Sequence, residues 1–259
     1  MARAAERMPA REAEYRNKVL NQRVAAERTF VSKTVWKVNG APPEAWTDVY
    51  GGLDLSEVND LTAFVLVSHE DKRSFHVWPT FWLPEEGLEE RSREDRAPYD
   101  LWAQQGFLKT TPGSAIDYQL VAAEVARMLL ERGIRKIAFD RWKMRHFRPW
   151  LVHAGIPEPV IDDRFVEFGQ GWQSMGPALD SLEAALLEQR VRHGGHPVLT
   201  MCAANAVVKR DDAGNRKLDR KRSRGRIDGM VALAMAVAVA TEDAARRPVY
   251  PVPLEEVLV

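Results

Sequence analysis

Residues 229–240, Gly-Met-Val-Ala-Leu-Ala-Met-Ala-Val-Ala-Val-Ala, are apolar on every side of a helical wheel and carry no charge. The run is too short to cross a bilayer. A helix of this kind must therefore be enclosed by protein, and a sheet is the natural cover. At its head stands Asp228, in Gly-Arg-Ile-Asp-Gly-Met. A carboxylate there gains from the partial positive charge of a helix N-terminus, which favours its ionised form.

The rest of the chain supplies enough material for such a core. Its 259 residues are 45% hydrophobic and 29% charged, which suits one large α/β domain or one domain with an appendage. The formal net charge is zero, so any affinity for a polyanion must be local. A single cysteine, Cys202, excludes an internal disulfide and a zinc ribbon, and fits a reducing compartment. The N-terminal stretch is charged and has no apolar segment typical of a secretory signal. These features describe a soluble, cytoplasmic protein.

Periodicity orders the elements. A helix is expected over 12–28, and a Gly/Pro-containing linker over 37–47. Three β-rich runs, Val49–Asp54, Leu61–Ser68 and Phe75–Phe81, read as an antiparallel meander. The charged stretch 85–100 reads as a solvated helix face or loop. A helix over Asp117–Arg132 is closed by Gly133, and a strand over Ile134–Phe139 delivers Asp140. Helices are expected near 146–154 and over 177–190, with a short strand at 166–168 between them. The segment 199–208 fits either helix or strand, and Asp211–Asn215 is a strong turn. The sum is a mixed sheet with helices on its faces. Residues 1–45 are set apart as a helix and linker, and 46–259 as the main domain.

Asp54, Asp140 and Asp228 each follow or abut an apolar run, a costly place for a carboxylate without a cation. Two of them end strands, where ligands of open α/β sheets gather. Each has a plainer role open to it: Asp54 beginning a turn, Asp140 capping the segment after it, Asp228 capping the last helix. Together, three carboxylates ~4 Å apart would repel by about 4 kcal/mol per pair at an effective dielectric near 20. Such a cluster needs a proton or a cation. Oxygen-only ligands favour magnesium or manganese over zinc. Two such ions could align an in-line displacement at phosphorus. The spacing permits convergence of the three without establishing it.

Residues 207–226 hold nine basic side chains against three acidic ones: Lys209, Arg210, Arg216, Lys217, Arg220, Lys221, Arg222, Arg224 and Arg226. A hairpin tipped at Gly214–Asn215 would present them just ahead of Asp228, where a DNA backbone would be held. A solvated loop is the plainer alternative. His193 and His196 lie in a Gly/Pro-rich turn that argues against a zinc site. Cys202, in an apolar run, reads as a core residue. No P-loop motif occurs, so the chain has no P-loop ATPase of its own.

Several blocks in order resemble the C-terminal nuclease region of tailed-phage terminase large subunits. They are EYRNKVLNQRV, YGGLDLSEVNDLTAFVLV, IAFDRW, FGQGWQSMGPALDSLEAALLE, HPVLTMCAANAVVKRDDAGNRKLDRKRS and RIDGMVALAMAV, spanning roughly residues 12–242. The resemblance implies a ribonuclease-H-like α/β fold. It maps Asp54, Asp140 and Asp228 to catalytic metal-binding carboxylates, and puts Ser56 and Asp60 close behind the first. It implies a magnesium- or manganese-dependent endonuclease acting on concatemeric double-stranded DNA in the host cytoplasm. The implied partners are the portal, the small terminase subunit and an ATPase domain that this sequence does not contain. Two alternatives remain open: a resolvase- or transposase-like nuclease, and a DNA-binding packaging module that does not cut.

Overall fold

The computed structural model describes residues 29–44, 46–56, 60–70 and 73–246. The helix expected over 12–28 lies outside them. A seven-stranded mixed sheet runs through the middle. Its strands are β1 (Val49–Asp54), β2 (Thr62–Glu70), β3 (Ser74–Pro84), β4 (Lys109–Thr111), β5 (Lys136–Phe139), β6 (Phe165–Glu167) and β7 (Val191–Arg192). The order is β4-β3-β2-β1-β5-β6, with β7 on β3. β1, β2 and β3 form the expected antiparallel meander. β5 joins β1 in parallel, and β6 joins β5 in parallel. This order is the ribonuclease-H-like one. A separate hairpin, β8 (Val208–Arg210) with β9 (Arg216–Leu218), turns through the predicted Asp211–Asn215 segment.

Alternation along β2 sends Ala63, Val65 and Val67 into one apolar layer, and Phe64 and Leu66 into the other. The first layer is completed by α1 (Lys33–Val38), α7 (Trp172–Leu187), α8 (Pro197–Asn205) and α9 (Asp228–Arg246). The second is completed by α4 (Tyr118–Arg132), α5 (Arg141–His153) and α6 (Glu158–Arg164). Two short helices, α2 (Leu88–Glu94) and α3 (Tyr99–Gln104), lie between β3 and β4. α9 is buried on nearly all sides, as its composition requires.

Three element boundaries differ from the sequence reading. α5 begins at Arg141 because Asp140 caps it. α7 begins at Trp172, with Pro177 inside it instead of at its start. The ambiguous 199–208 run divides into the end of α8 and the start of β8. Of the segment set apart as residues 1–45, the described part packs on the sheet layer. Phe30, Val31, Val35 and Trp36 are core residues, and the Trp36 indole donates to Thr200 at 3.0 Å. Asn39 donates to the Leu186 carbonyl at 2.9 Å. Residues 29–44 thus belong to the same packed unit.

Candidate active site

Asp54 closes β1, a strand buried throughout, with β2 on one side and β5 on the other. Its carboxylate is 1% exposed. Asp228 reaches it because α9 runs along β1 in the opposite direction. Near the start of the strand, the Tyr50 hydroxyl donates to Asp243, late in the helix, at 2.6 Å. At the middle, Gly52 meets Ala232. A Cβ on residue 52 would stand 1.9 Å from the Ala232 carbonyl oxygen, so only glycine admits the helix this close. At the far end lie Asp54 and Asp228, both buried.

Arg220 joins these two. One of its terminal nitrogens donates to Asp228 and the other to Asp54. A planar fork suits this bridging better than an ammonium would. Gln170 donates to Asp54 Oδ1 at 3.3 Å. Lys143, whose ammonium donates to the Leu55 carbonyl, adds positive charge nearby. Burial pushes the Asp54 carboxyl up to about 6; Arg220 opposes that rise and the Asp228 charge adds to it. In return, Asp54 and Asp228 hold the Arg220 guanidinium above its ordinary range, Asp54 first. Arg220 thus bridges two buried carboxylates, and burial is the chief reason that Asp54 is raised.

Asp140 is placed differently. It follows Phe139, which pairs in register with Leu53, so the backbone brings it beside Asp54. Its side chain is half-buried and accepts from the Trp142 amide at 3.1 Å, as the N-cap of α5. Among the described residues no three acidic, histidine or cysteine side chains gather closely enough to hold a metal. Asp54 and Asp228 converge, while Asp140 stands at the rim as a cap.

A family model for the terminase large subunit, endonuclease domain, matches residues 2–244. This chain belongs to that family. It is 49% identical over 247 residues to the terminase large subunit of Enterobacteria phage HK97, across 93% of this chain and 47% of that protein. It is 27% identical over 175 residues to protein YmfN of Escherichia coli K12, across 63% of this chain and 36% of that one. The crystal structure of the HK97 bacteriophage large terminase matches with a TM-score of 0.77 at 49% identity, over 92% of this chain and 50% of that one. The chain thus spans about half the length of its HK97 relative.

In this terminase nuclease domain the other sequence candidates scatter. Ser56 is buried beside Asp54; its amide donates to Thr62 at 3.0 Å, its carbonyl accepts from Tyr118 at 2.6 Å, and its hydroxyl has no hydrogen-bond partner among the described residues. Asp60, expected close behind Asp54, has an exposed carboxylate that pairs with Arg226 at 2.7 Å, in the loop before α9. Two of the basic residues expected at DNA are engaged in ion pairs within the fold. Arg216 is buried and paired with Glu183 at 2.5 Å and with Asp180. Arg226 is spent on Asp60 and Asp95, each at 2.7 Å. Arg220 belongs to the carboxylate pair. Lys221, Arg222 and Arg224 are exposed, with Arg222 3.8 Å from Asp219. Arg210 is exposed at the tip of β8. Lys209, 3.6 Å from Asp219, and Lys217 both approach the Trp172 ring, Lys217 at 4.8 Å. Gln170, Lys209, Lys217, Arg220 and Lys221 line a cleft of about 220 Å³ beside the site.

Sequence reasoning missed Gln170 and Lys143. Gln170 sits in the Phe-Gly-Gln-Gly stretch, which bears neither charge nor apolar pattern. Lys143 had a signal: it lies three residues beyond Asp140 on one helix, close enough to share a face. His193 stacks on Trp36 at 3.9 Å and His196 lies against Phe81 and Phe107, so both are packing residues. Cys202 is fully buried, and burial pushes its thiol well up. Among the described residues no helix is long and apolar enough to cross a membrane.

Proposed function

We propose that this domain is a magnesium- or manganese-dependent endonuclease that cuts concatemeric double-stranded viral DNA at the start and end of genome packaging. The observation that carries the reading is the meeting of Asp54 and Asp228, two buried carboxylates bridged by Arg220, in a member of an endonuclease family. The donor chemistry fits a hard divalent cation: carboxylate oxygens, plus the buried Ser56 hydroxyl, which has no partner among the described residues. Asp54 and Asp228 would hold the ions, two in this reading, with Asp140 contributing from the end of β5. A divalent ion there supplies Lewis acidity, lowering the pKa of bound water and offsetting charge on the leaving oxygen.

The chain's own residues do the rest. Arg220 fixes both carboxylates and, with its side chain 41% exposed, keeps N–H groups for a phosphate oxygen. Gln170 orients Asp54 through its amide. Lys143 adds charge that favours the ionised form of Asp54. Lys217, Lys221, Arg222 and Arg224, with Lys209 and Arg210, would grip the DNA backbone without reading its sequence. The portal, the small terminase subunit and an ATPase domain are the proposed partners, in the cytoplasm of the infected cell.

Cleavage of supercoiled plasmid with magnesium, manganese or EDTA, comparing the wild type with Asp54→Ala, tests the reading. Metal-dependent nicking and linearisation, lost in the variant, is the expected result. The non-cutting packaging module has one observation in its favour, the commitment of Asp140 to its cap. DNA binding without cleavage under either metal would establish it instead.

A further inference from the structure

The helix that follows Asp140 carries a surface that the proposed DNA grip does not use. α5 reads Arg-Trp-Lys-Met-Arg-His-Phe-Arg-Pro-Trp-Leu-Val-His, with four arginines and lysines, two histidines and no acidic residue. Met144, Phe147 and Leu151 face the core. The opposite face is exposed and presents Arg141, Trp142, Arg145 and His146.

These basic residues differ in what they are tied to. Arg148 is balanced by two carboxylates, Glu158 and Asp162, the latter at 2.8 Å. Lys143 is turned to the Leu55 carbonyl and the site. Arg141 and Arg145 have no carboxylate partner among the described residues. Arg141 lies over the Trp142 ring at 4.9 Å, and Arg145 donates to His146 at 2.9 Å. Trp142 itself is 66% exposed, an unusual position for the largest apolar side chain. The surface begins one residue from Asp140, which the β1–β5 register brings beside Asp54. Its charge complements a polyanion, and the proposed substrate of the adjacent site is one.

We propose that Arg141, Trp142 and Arg145 form a second DNA-backbone contact, on the far side of the carboxylates from the β8–β9 hairpin. Resting on the endonuclease reading, this places the scissile phosphate between two basic surfaces. Arg141 and Arg145 bind successive phosphates. Trp142, its face held by Arg141, packs its indole against the sugar edge of the same strand. The contact is indifferent to sequence and sensitive to salt.

The test is equilibrium binding of a short DNA duplex in EDTA, where nothing is cut, over a range of salt concentrations. It compares the wild type, Arg141→Gln/Arg145→Gln, Trp142→Ala and, as a control, Arg148→Gln on the same helix. The double variant should reduce the slope of log K against log salt by about 2, one for each phosphate contact. Trp142→Ala should weaken binding with the slope unchanged, because an indole releases no counterion. Arg148→Gln should keep the wild-type slope. A slope unchanged in the double variant, or lowered equally by Arg148→Gln, overturns the contact, as does a wild type that does not bind duplex DNA. Plasmid cleavage run alongside separates the two readings. Cutting with unaltered slopes sinks only the α5 contact, whereas altered slopes without cutting in any metal sink only the nuclease. Circular dichroism of each variant confirms that the exposed substitutions leave the fold in place.

Discussion

Asp228 and Asp140 flank Asp54 from opposite layers of the sheet, and the two layers hold them in different ways. On the α9 side, backbone packs directly on backbone. Gly52 admits Ala232 and Asp228 ends 3% exposed, so its meeting with Asp54 is set by the core itself. On the α5 side, Asp140 is half-buried and fixed by one hydrogen bond to a backbone amide, with exposed basic and aromatic residues around it. A carboxylate locked by packing can move only if the core moves. A carboxylate locked by a cap can move at the cost of that cap, on the order of 1 kcal/mol. One half of the site is therefore preformed and the other half adjustable.

Charge removal probes that contrast most strongly. Asp54→Asn and Asp228→Asn should each lower plasmid cleavage by about a thousandfold or more, the scale of losing a preorganised charge-stabilising group. Asp140→Asn is the sharper variant, because asparagine caps a helix as well as aspartate does. The same loss of cutting from Asp140→Asn assigns its charge to the reaction. Retained cutting reduces Asp140 to its cap.

The packing side is probed by stability. Gly52→Ala forces a methyl group into the Ala232 carbonyl and should cost about 3 kcal/mol or more in urea unfolding. Trp142→Ala, on the exposed side, should change stability by no more than about 0.5 kcal/mol. Equal costs for the two would abolish the distinction between a rigid and an adjustable side.

Titration gives a smaller effect. The Asp54 carboxyl is raised from 3.8 to about 6 in the fold, chiefly by burial. A raised carboxyl contributes stability below its unfolded value and loses that contribution as pH climbs through the folded one. Metal-free wild type should therefore lose up to about 3 kcal/mol through this group between pH 4 and pH 7. Asp54→Asn should lack that component. Parallel stability profiles for the two proteins over this window would show that the carboxyl is not raised.

Much of this contrast was legible in the chain, though unevenly. An apolar helix that cannot face water, and strands ending in Asp54 and Asp140, are local patterns, and local patterns set which elements form. The centre of the sheet order follows from the meander and the parallel pairing of β5 on β1. The basic segment was less legible. Charge counts say how many arginines a stretch holds, but not that Arg216 is enclosed with Glu183 or that Arg226 braces Asp60 and Asp95. Those pairings join residues far apart in sequence, where spacing carries no information. Gln170 was hidden for the same reason, since only the folded chain brings it to Asp54.

The finest comparison sets Asp140 against Asp117, which caps α4 in the same layer by accepting from Gln119 at 2.8 Å and from Leu120 at 3.4 Å. Each aspartate is itself in an extended conformation and opens a helix packed into that layer. Alanine at either position should cost about 1 kcal/mol, and asparagine close to nothing, because the amide oxygen still accepts from the helix backbone. If capping were all that Asp140 does, the two positions would be interchangeable in every assay. The register of β5 on β1 gives Asp140 a neighbour that Asp117 lacks, a carboxylate raised by burial. Four variants measured for unfolding and for plasmid cleavage should therefore separate in only one column. Asp117→Asn and Asp140→Asn should match in stability and differ in cutting, and a match in both would make Asp140 a structural cap at the edge of a two-carboxylate site.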